Sequence, residues 1–188
     1  MDTTSAPKNQ TDKLPFFSNL IATGLFSGYS PIASGTAGSL VGLLLYYGIP
    51  GMDNVVTLSL CIIIFFFVGV RTSATVARIV GNRLTPSAAM AKEMFQAGST
   101  HAPDPSIVVI DEVVGMWISL LFLPKSILIA VMAFLAFRIF DIVKPFPAKQ
   151  LEHYANGWGI MLDDVVAGMY ANIVVHILLM IIPGISSL

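Results

Sequence analysis

A chain of 188 residues has room for one domain of ordinary size. Hydrophobic residues make up 55% of it and charged residues 11%, with a mean hydropathy of +0.80, where soluble domains carry about 25% charged residues. So much apolar surface exceeds what one water-soluble core hides, and an integral membrane protein is expected. A net charge of −1 and a pI of 6.2 exclude a generally basic, nucleic-acid-binding surface. The single cysteine, Cys61, lies in an apolar run, which rules out an internal disulfide or a cysteine-based zinc site.

Residues 1–13 are polar and are read as a tail. No short apolar core with a small-residue cleavage site follows them, so no cleaved signal peptide is expected. Residues 14–188 are read as one membrane-embedded catalytic domain. Leu14 to Ser30 predicts a short helix at the membrane surface. Residues 31–39 are small and turn-forming, and they lead into an apolar stretch that ends at Ile49. From Thr36 onward this stretch is short for a span needing about 20 residues. Val55–Val70 is the clearest span, ended by Arg71. Short surface helices are expected over Ala74–Leu84 and Ser87–Phe95. Apolar character resumes over Ile107–Leu123 and again over Ile127–Val143, where Lys144-Pro145-Phe146-Pro147 stops the helix. A final span covers Ile160–Ile182. The fold expected is all-α: a polytopic bundle of about four to five membrane-inserted helices, with short cytoplasmic surface helices.

With five crossings and a cytoplasmic N-terminus, Lys8, Lys13, Arg71, Arg78, Arg83, Lys92, Lys144 and Lys149 share one side, and Lys125 alone takes the other. That asymmetry marks the first side as cytoplasmic. Asp111 and Glu112 then follow the entry of the third span, Arg138 and Asp141 precede the exit of the fourth, and Asp163 and Asp164 follow the entry of the fifth. At the rise of a helix, all six lie within roughly 10 Å of the cytoplasmic face. The Ser34–Ser39 turn reaches the same face. Ionised groups inside a bilayer are costly and read as a functional site with partners nearby.

Asp111, Glu112, Asp141, Asp163 and Asp164 outnumber Arg138 and Lys144, so a divalent cation is the natural remedy. An all-oxygen donor set favours magnesium or manganese. Arg138 can hold phosphate bidentately and Lys144 as a point charge. Gly35, Thr36 and Ser39, at the opening of a helix, offer amides and hydroxyls to a phosphate, although tight packing explains the glycines equally well. Gly115 and Gly168 read as close-packing positions. Adjacent aspartates diverge by about 100° around a helix, so Asp163 and Asp164 need not face the same group. Trp117 and Trp158 read as packing or interfacial residues, and His101, His153 and His176 have no sequence partner that would make them catalytic.

The blocks Ser34-Gly35-Thr36-Ala37-Gly38-Ser39, Asp111-Glu112-Val113-Val114-Gly115-Met116-Trp117, Phe137 to Pro147 and Gly157 to Gly168 resemble, in order and spacing, those of the phosphatidylglycerophosphatase A family. Asp104 matches a further acid of that pattern. Ala148 and Asn156 depart from it, both in the loop joining the fourth and fifth spans. The resemblance implies a magnesium-dependent phosphoric monoester hydrolase of phospholipid biosynthesis, converting phosphatidylglycerophosphate to phosphatidylglycerol. It implies a multi-pass protein of the bacterial inner (cytoplasmic) membrane with its active site toward the cytoplasm. On this reading Asp111, Asp141, Asp163 and Asp164 are the metal ligands, and Asp111, Glu112, Asp141, Asp164, Arg138 and Lys144 the catalytic set. Arg138, Lys144, Gly35, Thr36 and Ser39 bind phosphate. Direct attack by water and a phospho-aspartate intermediate both remain open.

The expected partners are the lipid substrate and surrounding membrane lipids, not nucleic acid, and self-association is compatible with the sequence. Two alternatives stand beside this reading. One is a small divalent-cation transporter or channel, which predicts polar groups through the whole membrane depth, whereas here they gather on one side. The other is a phosphatase of another lipid phosphate. The Asp-Gly-x-x-Ala-Arg pattern of transferases acting on cytidine-activated lipids is absent.

Overall fold

The computed structural model describes residues 14–30, 33–81, 107–154 and 157–182. Among these every regular element is helical: α1 (Phe16–Ala22), α2 (Ser34–Gly48), α3 (Val55–Gly81), α4 (Ile110–Leu120), α5 (Ile127–Val143), α6 (Ala148–Leu151) and α7 (Trp158–Ile181), with a 3₁₀ turn at Ser27–Tyr29. The expected all-α class is therefore observed. Asp104, His101 and the surface helix expected over Ser87–Phe95 lie outside the described residues.

Among the described residues two helices are long and apolar enough to cross a bilayer: Val55–Ile79 within α3, and α7. Only 22% and 28% of their most apolar windows are buried, so neither is the core helix of a soluble protein. Their outer faces carry exposed rows such as Val56, Leu60, Ile63 and Phe67 on α3, and Met169, Ile173, Ile177 and Met180 on α7. On α5, Leu128, Val131, Leu135, Ile139 and Ile142 form another such row. Spacings of three and four residues put each row on one helical face. Exposed apolar surface of this extent suits lipid and not water.

Two expectations are corrected. Helix α3 runs unbroken through Arg71 to Gly81, so no separate helix begins at Ala74. Nothing between Val70 and Ala74 breaks a helix, because a charge changes solvation without removing a backbone hydrogen bond. The Ile107–Leu123 stretch forms a helix of only 11 residues, about 16 Å long and too short to cross a core of about 30 Å alone. Its apolar character serves protein packing. Nine of its residues are buried, and it is surrounded by α2, α3, α5 and α7. Phe122, at φ 63°, and the following Pro124 turn the chain at its end.

Small residues let the helices close on α4. A Cβ on Gly115 would lie 2.5 Å from the Phe137 ring and 2.9 Å from the Asp164 carbonyl, and one on Gly168 would lie 2.5 Å from the Gly115 carbonyl. The α4–α7 contact is thus backbone against backbone, the packing these glycines were expected to permit. Asn172 reinforces it by donating to the Leu121 carbonyl at 2.7 Å. Trp117, fully enclosed, stacks edge-on to Phe65 and donates to the Gly42 carbonyl at 2.9 Å, which joins α2 and α3 to α4. Trp158, in contrast, is exposed against Phe66 and Phe67.

Candidate metal and phosphate site

Four helix ends meet at one side of the bundle. Helix α4 starts one residue before Asp111, and Val109 donates to the Ala22 carbonyl at 2.9 Å, fixing that start against the end of α1. Helix α7 enters through Gly157, whose φ of 83° and contact with the α3 backbone at Val70 and Ala74 leave no room for a side chain. Helix α5 ends at Lys144, in a left-handed conformation with φ 45°. Ala33, also left-handed, turns the chain into α2.

Asp111, Glu112 and Asp164 converge so that one carboxylate oxygen from each lies within 4.8 Å of the others. Asp111 and Asp164 are 6% and 2% exposed. Glu112 Oε2 and Asp164 Oδ2 are enclosed without a hydrogen-bond partner among the described residues. Carboxylate oxygens left so in an apolar bundle are costly, and a hard cation among them would answer all three. The oxygen-only donor set fits magnesium, manganese or calcium chemistry. Asp111 and Glu112 also occupy the first turn of α4, where the helix dipole favours negative charge.

Around this cluster the remaining charges are paired. Arg138 Nη1 lies 2.9 Å from Asp141 Oδ2, and Asp141 is close enough to Asp164 to interact with its carboxyl group. Lys144 Nζ donates to Asp163 Oδ2 at 2.7 Å and lies 3.5 Å from Glu152 Oε1. Burial alone would lower the lysine's pKa, but Asp163, Glu152 and Asp164 outweigh it and hold Lys144 above the ordinary lysine range. It is charged at neutral pH. The two adjacent aspartates therefore face different ways: Asp164 looks toward Asp111 and Glu112, while Asp163 engages Lys144 and accepts from the Asp164 amide at 3.0 Å.

The Gly-rich block belongs to the same site. Ser34–Ser39 forms the first turns of α2 instead of a turn ahead of it. A Cβ on Gly35 would lie 2.5 Å from Glu112 Oε1 and 3.1 Å from both terminal nitrogens of Arg138. The glycine thus lets the N-terminus of α2 reach an acid and a guanidinium together. Ser39 is fully buried; its hydroxyl donates to the Gly35 carbonyl at 2.9 Å and accepts from Arg138 at 3.4 Å. It braces Arg138 and is not open to solvent. Thr36 is half-buried on the same turn. Of the residues near the site, Glu152 carries no motif and passes unremarked in the sequence; an isolated acid in a polar loop signals nothing until Lys144 is seen beside it. His153 and His176 bond to carbonyls four residues back, of Lys149 and Asn172, and take no part.

The arrangement joins a cation-competent acid cluster to two fixed positive groups and a helix N-terminus, which together suit a phosphate ester. Comparison with known proteins agrees. A model of the family described as Phosphatidylglycerophosphatase A matches residues 20–179. A Bacteroides thetaiotaomicron protein with the provisional name phosphatidylinositol-3-phosphatase is 36% identical over 86% of this chain and 93% of its own length. Phosphatidylglycerophosphatase A of Escherichia coli is 34% identical over 80% of this chain and 77% of its own. That of Haemophilus influenzae is 36% identical over 84% and 85%. No solved structure matches. With most of its length matched, including all four helix ends that meet at the site, the chain belongs to the phosphatidylglycerophosphatase A family.

Proposed function

We propose that this protein is a magnesium-dependent lipid phosphatase that hydrolyses phosphatidylglycerophosphate to phosphatidylglycerol and phosphate; the Escherichia coli and Haemophilus influenzae relatives are named phosphatidylglycerophosphatase A, which supports the substrate, and the acid cluster supports the cation. The observation that carries this reading is the meeting of Asp111, Glu112 and Asp164 beside Arg138 and Lys144 at one side of an apolar bundle. A phosphate head group reaches such a site while its acyl chains stay in lipid.

Asp111, Glu112 and Asp164 would hold the cation, with Asp141 next to them. A magnesium ion held by these carboxylates would supply Lewis-acid polarisation of the phosphoryl group and lower the pKa of a water. Arg138, oriented by Asp141 and Ser39, faces the equatorial phosphate oxygens as a planar donor. Lys144, kept charged by Asp163, offsets the developing negative charge. The α2 amides beside Gly35 complete the cradle. In this reading residues 14–188 act as one catalytic unit. Helices α2, α4 and α5 insert alongside α3 and α7 as a multi-pass bundle of the bacterial inner membrane, with the acid cluster toward the cytoplasm.

Purified protein assayed on phosphatidylglycerophosphate, phosphatidic acid and lysophosphatidic acid, each with and without magnesium, tests the proposal. Magnesium-dependent phosphate release, fastest from phosphatidylglycerophosphate, is expected; equal rates without divalent cation would overturn it. The Bacteroides relative favours a second reading, a phosphatase of another lipid phosphate, which a 3-phosphorylated phosphoinositide in the same assay distinguishes.

A further inference from the structure

Glu152 differs from every other acid at the site. Asp111, Asp163 and Asp164 are buried, Glu112 is half-buried and the Asp141 side chain is 16% exposed, whereas the Glu152 side chain is 48% exposed. It stands at the outer end of a line that runs from Asp164 through Asp163 and Lys144, with its Oε1 3.5 Å from the lysine. Its backbone is pinned. The Glu152 amide donates to the Ala148 carbonyl at 3.2 Å, and a Cβ on Gly159, at the start of α7, would lie 2.5 Å from the Glu152 carbonyl. The carboxylate is therefore presented from a fixed segment at the open rim.

Lys144 already has a nearer carboxylate in Asp163, so Glu152 is not needed to neutralise it. A further negative charge beside a phosphate-binding lysine weakens anion binding unless the ligand brings hydrogen-bond donors of its own. A carboxylate is an acceptor only, and hydroxyls are the donors it suits. We infer that Glu152 is a specificity-determining residue that accepts a hydrogen bond from a hydroxyl of the substrate head group, selecting phosphate monoesters carried on a polyol over those esterified directly to the lipid glycerol. The inference rests on the lipid phosphatase reading and names the part of the substrate the rim recognises.

The test compares kcat/KM on phosphatidylglycerophosphate and on phosphatidic acid of the same acyl chains, for the wild type, Glu152→Ala and Glu152→Gln in mixed micelles. The ratio between the two substrates is expected to fall about tenfold in Glu152→Ala, the scale of a lost hydrogen bond to a charged group, mainly through KM for phosphatidylglycerophosphate. Glu152→Gln, which keeps one acceptor, recovers part of it. An unchanged ratio overturns the inference, whether both substrates slow equally, as loss of Lys144 positioning alone would give, or neither does. A wild type inactive on both lipids overturns the phosphatase reading and this inference with it, and that result is seen before any variant is made.

Discussion

At the residue scale, the turn of a helix gives neighbouring side chains different partners. Asp163 and Asp164 are adjacent, yet one pairs with Lys144 and the other joins Asp111 and Glu112. Asp164→Asn removes a charged oxygen from the cluster, and phosphate release is expected to fall at least about 100-fold; a magnesium titration of initial rates checks it, and wild-type rates at saturation would remove Asp164 from the site. Gly35→Ala is expected to separate stability from activity. Alanine favours a helix by about 1 kcal/mol over glycine, but its Cβ would press on Glu112 and Arg138. Thermal unfolding should change little while kcat/KM falls about tenfold or more, since small displacements of positioned groups are costly to rate.

At the element scale, close approach of α4 and α7 sets the distance between their acids. Gly115 and Gly168 stand four residues after Asp111 and Asp164; Gly115 abuts the Asp164 carbonyl and Gly168 the Gly115 carbonyl. Replacing Gly115 with valine would drive a side chain into the Phe137 ring and the Asp164 carbonyl. Overpacking of this kind costs about 1–3 kcal/mol, and because the obstacle includes backbone the helices must move apart. A lower unfolding midpoint in detergent, together with weaker magnesium activation, is expected for Gly115→Val; loss of one without the other would show that packing and cation binding are separable here.

At the scale of the whole molecule, the exposed apolar faces suit lipid and the acid cluster is competent to hold a cation. The exposed row on α5 includes Leu135, which is 55% exposed. Leu135→Lys, near the middle of that helix, is expected to disfavour membrane insertion by about 3 kcal/mol, read as a smaller membrane-fraction yield than for Leu135→Ile. The carboxylates of the cluster repel one another without a cation, so magnesium added to chelator-treated protein should raise the unfolding midpoint in proportion to the logarithm of its concentration. Asp164→Asn should flatten that response.

The amino-acid sequence by itself determined the membrane setting and the helical class, because hydropathy acts along the chain, and it set Asp111, Glu112, Arg138, Asp141, Asp163 and Asp164 near the ends of their apolar segments. The family was legible too, since its blocks are local strings. Three features were decided only by tertiary structure. Apolar residues look alike whether they meet lipid or protein, so the burial of α4 emerged only once α2, α3, α5 and α7 enclosed it. Rotation about a helix axis has meaning only against neighbours, so the partner of each aspartate waited on Lys144 and on the first turn of α4. Glu152 reached the site through the fold of a short polar loop, where no periodicity exists to announce it.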